Sequence, residues 1–491
     1  MKNIILLFGL LLLFGCKKET PSFLNLDFET LCLDSKSGLC NWDVSYQFQT
    51  EILSVEENSN NALLIDIADG VGFVEQEFEF AATKVEKIIS FSVNIKTEKV
   101  EGKGAGINLA IYKPDGEPVE FVSMGYGDYS FITGNTSWTT YKIETVVPAA
   151  AVKVRIGCIA YGKGKAYFDD ALVTLTPLKD RKHSALAESY ITAAIDSMKI
   201  HSLRKDSVDF DLLKSKALLI AGDAKFPEDN YLATRFLLSS MEDHHSFFMT
   251  AKERVIWEGN DADTVEEEMM PTIKFSKAEK KDRYGYISVP GFHGNDAALK
   301  KAFADTLQRQ LQELYATNIE GWIVDLRPND GGNMHPMLAG LEPLFSADTL
   351  GFLVNIHGEK EAWGRNELFK KEDPESYVEI DHPVSFEKQL PMAVLYGSAT
   401  GSSGEIVIIS FIGNYKTKSF GQPSFGLTTG NGEFKMPDGS YLFLASTQMA
   451  DRNSAIYSKR VTPDVVIDKD ESNPNLEIEK AIEWLNSMTT H

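Results

Sequence analysis

The pattern of apolar residues changes once along this chain, near residue 176, and this change constrains the fold more than any other feature. Between about residues 24 and 176, short runs alternate apolar with polar residues and are separated by Gly, Pro, Asp and Asn. This alternation predicts an all-β, antiparallel sandwich. A chain of 491 residues is also longer than one hydrophobic core usually organises, so we predict a multidomain protein that begins with this sandwich. The clearest strand patterns are residues 62–67, 88–95, 107–112, 139–146 and 152–159.

A different pattern follows a polar, charged linker at residues 177–184. Apolar residues recur at helical spacing beyond it, so residues 185–275 are predicted to be a helical region. From residue 276 to residue 491 strand and helix patterns alternate, which predicts an α/β core with a largely parallel sheet. Active sites in such sheets lie at the carboxyl ends of strands. We expect strands at residues 284–289, 321–326 and 392–396, and helices near 299–314, 338–344 and 405–412.

The N-terminus has the pattern of an export signal. Residues 1–15 combine a charged start, an apolar run and a small residue before Cys16. The run is shorter than the roughly 20 residues of a membrane-spanning helix, so it predicts a cleaved signal peptide. Residues 13–16 resemble a bacterial lipobox, which implies that Cys16 carries lipid and that residues 16–23 are a lipid-anchored linker. The expected location is the extracytoplasmic side of the bacterial cell envelope, on the outer membrane or the cell surface. A plain secretory signal is the alternative, because Phe14 is bulkier than lipoboxes usually carry.

Charge and cysteine content limit the partners of the protein. With 71 acidic and 49 basic residues, the net charge of -22 would repel phosphates, so no nucleic acid partner is expected.

Cys32 and Cys40 lie in a loop-like segment and are candidates for a disulfide in an oxidising compartment. Cys158 lies in a strand pattern and is expected to be buried. No cluster of residues has zinc-ligand spacing, so we predict no metal site and no cofactor.

Two loops after predicted strands carry residues that suit catalysis. In residues 324–333 a buried strand breaks at Gly331 and Gly332, where the main chain can approach a ligand and present N–H groups to an oxyanion. In residues 395–406 a strand turns through small residues into an apolar helix, which would expose a serine at the helix N-terminus. Each loop also has a simpler explanation, a tight turn in the first case and ordinary helix capping in the second.

Together the two loops resemble the signature of the carboxyl-terminal-processing (tail-specific) serine peptidases and their tricorn-type relatives. The resemblance runs from about residue 184 to residue 467 and includes residues 284–292, 436–440 and 461–464. It implies an α/β (α+β), ClpP/crotonase-like core and a serine endopeptidase that acts on a protein or peptide substrate. The PDZ domain that usually precedes such a core is not expected, because residues 250–281 are too few for an independent domain.

The same resemblance assigns the reacting groups. In this family the nucleophile lies three residues before an acidic residue, which selects Ser402 and leaves Ser403 as the fallback. One branch of the family uses a lysine as the base, but Leu427 occupies its position here. The tricorn-type His/Ser branch uses a histidine from an Asp-x-His-Ser motif, and His245 fits that motif. An imidazole with a pKa near 6.5 can accept the serine proton near neutral pH.

The remaining catalytic groups are assigned less directly. The N–H groups of Gly331, of Gly332 and of the helix start at Ser403 are expected to stabilise the oxyanion. Tricorn-type relatives orient their histidine with a glutamate close to the final Pro-Asp motif, and Tyr457 stands near that place in this chain. Asp451 is therefore the candidate orienting acid.

The first domain and the whole protein each have alternative functions. Residues 25–29 with Trp42, and residues 164–171, resemble the ends of galactose-binding-like jelly-roll modules that accompany carbohydrate-active enzymes. That resemblance implies a bound glycan, and a spacer between the membrane and the second domain is the alternative. The whole protein could instead be a non-catalytic glycan-binding lipoprotein, or an esterase or amidase acting on a cell-wall or polysaccharide substrate.

Overall fold

A computed structural model describes residues 23–32, 34–57, 60–80, 85–116, 118–124, 130–179, 181–259, 273–374, 376–468 and 473–489. The chain divides into two compact units between Arg181 and Lys182. The predicted signal peptide and the predicted lipidation site, Cys16, lie outside the described residues. Among the described residues, no helix is both long and apolar enough to cross a membrane.

The first unit is built from antiparallel strands. In the part of it that the structure describes, the strand order is β1-β2-β6-β3-β4, and β5 also pairs with β3. Each of these pairings is antiparallel. The strands are β1 (Asp43–Glu57), β2 (Asn60–Glu79), β3 (Lys87–Tyr112), β4 (Pro118–Ser123), β5 (Ile132–Val147) and β6 (Lys153–Pro177).

Two strands expected from the sequence are halves of one strand. Residues 88–95 and 107–112 both belong to β3, which continues through the glycine-containing stretch between them. Gly102 and Gly104 have φ of +92° and +109°, and the register between β3 and β6 shifts here. The glycines therefore bend a continuous ladder, where the sequence pattern had indicated a turn between two strands.

The core of this unit follows the alternation seen in the sequence. Alternate residues of β3, such as Phe91 and Val93, are fully buried. Each such side chain contributes roughly 1.5–3 kcal/mol through its burial. Trp42 stacks on Phe28 with ring centroids 4.9 Å apart. Cys32 and Cys40 form a disulfide with a Cα–Cα distance of 4.9 Å. Cys158 is a free cysteine and is buried, as expected.

The second unit contains helices and two sheets. Its helices are α1 (Ala185–His201), α2 (Phe210–Ala221), α3 (Tyr231–Ser239), α4 (Ala251–Glu258), α5 (Ala297–Tyr315), α6 (Met334–Leu341), α7 (Asn366–Glu372), α8 (Ser403–Phe411) and α9 (Leu476–Thr489). Its strands are β7 (Phe247–Met249), β8 (Lys277–Lys281), β9 (Tyr284–Ser288), β10 (Gly321–Asp325), β11 (Thr349–Asn355), β12 (Lys360–Gly364), β13 (Met392–Tyr396), β14 (Thr417–Gly421), β15 (Thr429–Lys435), β16 (Tyr441–Asp451), β17 (Ile456–Tyr457) and β18 (Val465–Val466).

The first sheet of this unit has the order β18-β14-β13-β10-β9-β8. All its neighbouring strands are parallel except β8, which runs antiparallel to β9. Helices cover both faces, so every residue of β10 and β13 is buried. Val324 packs with Phe303 and Leu307 of α5, whereas its neighbour Ile323 packs with Leu485 of α9. The carboxyl ends of β10 and β13 are adjacent, with Asp325 paired to Leu395, and this brings the two candidate loops together.

The second sheet was not expected from the sequence. Its order is β12-β11-β16-β15, and β7 and β17 also pair with β16. All of these pairings are antiparallel. Residues 240–246 form a short loop between α3 and β7, and β7 pairs with β16. This loop therefore connects the helical region to the second sheet.

Candidate active site

The structure brings Ser402 and His245 together although 157 residues separate them in the sequence. Ser402 Oγ lies 2.9 Å from His245 Nε2. On the other side of the ring, His245 Nδ1 lies 2.6 Å from the hydroxyl oxygen of Thr429. If Nε2 accepts the proton of the Ser402 hydroxyl, the neutral ring carries its own proton on Nδ1 and donates it to Thr429. This arrangement holds the ring in the tautomer that a general base needs.

Ser402 occupies the turn between β13 and α8 in an uncommon backbone conformation. Its φ is +52° and its ψ is -122°, which L-residues rarely adopt. Such a conformation costs on the order of 1–3 kcal/mol and persists only where the surroundings hold it. The side chain makes no capping bond to the helix, so its hydroxyl is available to His245. The residue is partly exposed, which leaves it accessible to a substrate.

Glu405 holds the main chain of this turn in place. It is fully buried, and its carboxylate accepts the main-chain N–H of Ser402 at 2.9 Å. The other carboxylate oxygen accepts the Ser424 hydroxyl at 2.5 Å and the Gly426 N–H at 2.9 Å. Burial raises the pKa of Glu405, and these hydrogen bonds oppose that change. Glu405 therefore links the turn at Ser402 to the loop after β14.

The loop after β10 passes directly against Ser402. Gly331 has φ of +108°, and a Cβ atom on it would lie 2.9 Å from the Cβ atom of Ser402, so a larger residue does not fit. The N–H of Gly331 donates to the side-chain oxygen of Asn329 at 3.2 Å. The Ser403 hydroxyl donates to the carbonyl of Gly332 at 2.6 Å and is thereby occupied. Within the described residues, the N–H groups of Gly332 and Ser403 have no hydrogen-bond partner. Of the three N–H groups expected to bind an oxyanion, those of Gly332 and Ser403 are therefore available, whereas that of Gly331 is bound to Asn329.

A charged cluster fixes the strand end from which the glycine loop starts. The guanidinium of Arg327 donates two bonds to Asp325, at 2.9 and 2.6 Å, and one to Glu477 at 2.7 Å. The Tyr286 hydroxyl also donates to Asp325, at 2.6 Å. Asp325 is buried, so its charge would be unfavourable without these partners. The cluster therefore stabilises the geometry of the loop without contacting Ser402.

The loop that carries His245 is fixed by its own side chains and by the second sheet. The Asp243 carboxylate accepts the main-chain N–H groups of His245 and Ser246, at 3.0 and 2.7 Å. The Ser246 hydroxyl donates to Asp243 at 2.6 Å and accepts the N–H of Ala445, on β16, at 2.9 Å. The side-chain amide of Asn431, on β15, donates to the carbonyl of His245 at 3.0 Å. The Asp-x-His-Ser motif thus shapes the loop, and its aspartate does not contact the imidazole through a hydrogen bond.

Burial controls the protonation of His245. It lowers the pKa of the ring from 6.5 to about 4, and the nearby Asp243 and a backbone hydrogen bond at Thr429 oppose this change only in part. The ring is consequently neutral at physiological pH and able to accept a proton.

The structure does not bring Asp451 to the histidine. Its carboxylate accepts the main-chain N–H groups of Asn453 and Ala455, at 2.8 and 3.0 Å, and closes the turn after β16. The orienting position at His245 Nδ1 is taken by Thr429 because β15, and not the end of β16, passes beside the ring. His244 is exposed, with φ of +58°. Among the described residues, no three His, Cys, Asp or Glu side chains lie close enough to hold a metal ion.

Thr429 and Asn431 were missed by the sequence reasoning. Both stand at the start of β15, far along the chain from His245, and neither carries a charge. The family resemblance points to an acid near the last motif, and a threonine hydroxyl in a strand gives no signal of that kind. Only the pairing of β15 with β16 reveals their position.

The serine lies at a strand-to-helix turn, is hydrogen-bonded to a histidine and is next to a glycine loop with free N–H groups. This arrangement is typical of serine hydrolases. Residues 283–467, less than half of the chain, match the model of Peptidase family S41, which indicates a serine peptidase. The expected relationship to the carboxyl-terminal-processing peptidases is confirmed. Ser402 and the glycine loop lie inside the matched residues, whereas His245 lies outside them.

Individual relatives agree with this assignment. A nisin-resistance protein from Lactococcus lactis subsp. lactis is 29% identical over 307 residues, which cover 61% of this chain and 87% of that protein. A carboxyl-terminal-processing protease from a Picosynechococcus species is 24% identical over 168 residues, which cover 34% of this chain and 35% of that protein. The structure of a lipoprotein from Streptococcus agalactiae aligns with a TM-score of 0.51 and 22% identity, over 62% of this chain and 96% of that one. The last similarity shows a shared fold.

Proposed function

We propose that this chain is an extracytoplasmic serine endopeptidase in which Ser402 is the nucleophile and His245 is the general base. The observation that carries the proposal is the 2.9 Å distance between Ser402 Oγ and His245 Nε2. That distance lies within the range for proton transfer between a nucleophile and its base. The similarity to two relatives, a nisin-resistance protein and a carboxyl-terminal-processing protease, supports a peptide substrate.

The proposed reaction proceeds through an acyl-enzyme. Ser402 Oγ attacks the carbonyl carbon of the scissile bond while its proton moves to His245 Nε2. The N–H groups of Gly332 and Ser403 stabilise the oxyanion of the tetrahedral intermediate. The ring then gives its proton to the leaving amine, the C–N bond breaks, and a water molecule activated by His245 hydrolyses the ester in a second round. Thr429 accepts the Nδ1–H throughout and is a positioning residue.

Two observations support a location outside the cytoplasm. The Cys32–Cys40 disulfide suits an oxidising compartment, and residues 1–16 have the pattern of a lipoprotein signal. A structural neighbour is itself described as a lipoprotein. We propose that Cys16 becomes the lipidated N-terminus and that the lipid holds the enzyme on the membrane surface.

The first unit has a separate role in this proposal. We infer that residues 24–176 form a jelly-roll module that folds independently, and that the second unit has a ClpP/crotonase-like core. Long antiparallel strands and a continuous core support the first inference, and a parallel sheet covered by helices supports the second. Whether the module binds a glycan or acts as a spacer is testable, since titration with cell-wall polysaccharides should show binding in the first case and none in the second.

Active-site labelling tests the chemistry. A fluorophosphonate should label the native enzyme at Ser402, and Ser402→Ala should abolish the label. Ser402→Ala and His245→Ala should each lower kcat for a peptide substrate by about 10³-fold or more, and the double variant should lose little beyond either. His244→Ala is the matched control, because this neighbouring ring is exposed. No labelling of the folded native enzyme would favour the non-catalytic alternative, and turnover of esters without peptides would favour the esterase.

A further inference from the structure

Phe425 is an exposed aromatic side chain beside the turn that carries Ser402. Its exposed fraction is 53%, although the residue before it, Ser424, is fully buried. Single exposed apolar side chains are common on protein surfaces and need no explanation by themselves. Phe425, however, is fixed next to the nucleophile, and the chemistry described above leaves its ring unused.

Gly401, the residue before Ser402, is where the ring meets the nucleophile turn. A Cβ atom placed on Gly401 would lie 3.2 Å from Cβ and 3.6 Å from Cγ of Phe425. Because Gly401 has no side chain, Phe425 can pack close to the main chain of the turn. Neighbouring Cα atoms are about 3.8 Å apart, so this contact lies about one residue from Ser402.

The loop that carries Phe425 is attached to the same turn by hydrogen bonds. The N–H of Phe425 donates to the carbonyl of Thr400 at 2.8 Å. On either side of it, the Ser424 hydroxyl and the Gly426 N–H donate to the Glu405 carboxylate, at 2.5 and 2.9 Å. These bonds hold the main chain at Phe425 in place, so little backbone freedom is lost when the ring contacts a ligand.

The glycine loop on another side of Ser402 has a different chemistry. His293 and Asp330 are both exposed and are hydrogen-bonded to each other, with Nε2 2.9 Å from Oδ1. A Cβ atom placed on Gly332 would lie 3.2 Å from His293 Nδ1. The surroundings of Ser402 are therefore polar beside Gly332 and apolar beside Phe425, so a bound substrate meets the two kinds of surface at different residues.

We propose that Phe425 forms an apolar subsite that selects a large apolar side chain at one of the two substrate residues flanking the scissile bond, an inference that rests on the proposed peptidase function. Ser402 attacks the bond between these two residues, so their side chains lie nearest to the turn. Contact between the ring and such a side chain removes apolar surface of both from water. The substrate class is therefore a peptide with leucine, methionine or phenylalanine next to the bond that is cleaved.

The expected size of the preference follows from the shape of the subsite. A closed hydrophobic pocket discriminates about 10- to 200-fold for one methylene group. The ring of Phe425 is half exposed and forms a wall of the subsite, so the lower end of this range applies to the whole side chain. We expect leucine to be preferred over alanine by about tenfold.

Peptides that differ at one residue test this preference. The native enzyme first digests a mixture of peptides of known sequence, and mass spectrometry locates the cleaved bonds. In one cleaved peptide, each residue that flanks the bond is then replaced in turn by leucine and by alanine. At one of the two positions, kcat/KM should be about tenfold higher for leucine. Equal values for leucine and alanine at both positions overturn the proposal.

Variants of the enzyme show whether the ring causes the preference. In Phe425→Ala, the leucine-to-alanine ratio of kcat/KM should fall from about ten to near one at that position. Phe226→Ala is the matched control, because it removes another exposed ring, 66% exposed, from the segment between α2 and α3, and it should leave the ratio unchanged. Phe425→Glu should favour lysine over leucine at the same position, because the new charge attracts a cation and disfavours an apolar group.

The ratio compares two peptides on the same enzyme, so a variant that folds only in part does not change it. An equal loss for both peptides in Phe425→Ala would show that the ring only supports the turn, and this outcome overturns the proposal. A native enzyme that does not react with fluorophosphonate, or that cleaves no peptide, would refute the peptidase function itself. A reactive, peptide-cleaving enzyme whose ratio does not depend on Phe425 refutes only the subsite.

Discussion

The pH dependence of kcat/KM tests whether His245 is the base. Burial lowers the pKa of this ring from 6.5 to about 4, which corresponds to about 3 kcal/mol against the imidazolium form. Only the neutral ring can accept the serine proton, so kcat/KM should rise with pH through this pKa and level off near pH 5. With a pKa of about 4, about 97% of the rings are neutral at pH 5.5, compared with about 9% for an ordinary histidine.

The assay measures kcat/KM with an uncharged peptide between about pH 4.5 and pH 8. The native enzyme should keep nearly all of its plateau value at pH 5.5, and His244→Ala should give the same profile. An acid limb with its midpoint near 6.5 would refute the reasoning, because the base would then be an ordinary, solvated imidazole.

Folding must be monitored in the same experiment. Because the pKa of His245 is lower in the folded state, the unfolded state binds a proton first as the pH falls below about 6.5. The free energy of unfolding is therefore highest above that pH and declines toward pH 4, by up to about 3 kcal/mol from this residue. His335, whose pKa burial also lowers to about 4, adds an effect of the same sign. Circular dichroism at each pH separates lost structure from a protonated base.

Two further predictions concern single side chains. Thr429→Val keeps the shape but removes the hydroxyl that accepts the Nδ1–H of His245, so kcat should fall about 10- to 100-fold with little change in KM, whereas Thr429→Ser should keep most of the activity. Equal losses in both variants, measured by steady-state kinetics, would argue against the positioning role. Cys16→Ser should release the protein into the soluble fraction because no lipid can be attached, and a processed variant that still sediments with membranes would contradict the anchor.

The sequence predicted some parts of this fold better than others, for identifiable reasons. The strand at residues 392–396 was predicted with its observed bounds. A strand that is buried on both faces has a continuous apolar sequence between polar loops, and this pattern is easy to recognise. The bend in β3 at Gly102 and Gly104 was not predicted, because glycines with positive φ occur both in turns and in bent strands. The place of Thr429 was not predictable, since it depends on a strand pairing that no local pattern encodes.

Ser402 and His245 are held by different sheets, so the distance between them depends on how the two sheets pack together. Ser402 and Gly331 are positioned by the adjacent ends of β13 and β10, with Glu405 holding the turn. His245 is fixed to the second sheet through Ala445 and Asn431. The alignment of Ser402 with His245 therefore rests on the packing between the sheets, where Met449 of β16 and the apolar residues of α8 share one core. A displacement of about 1 Å between reacting groups can cost on the order of 100-fold in rate. It follows that catalysis in this molecule depends on core side chains that contact neither Ser402 nor His245.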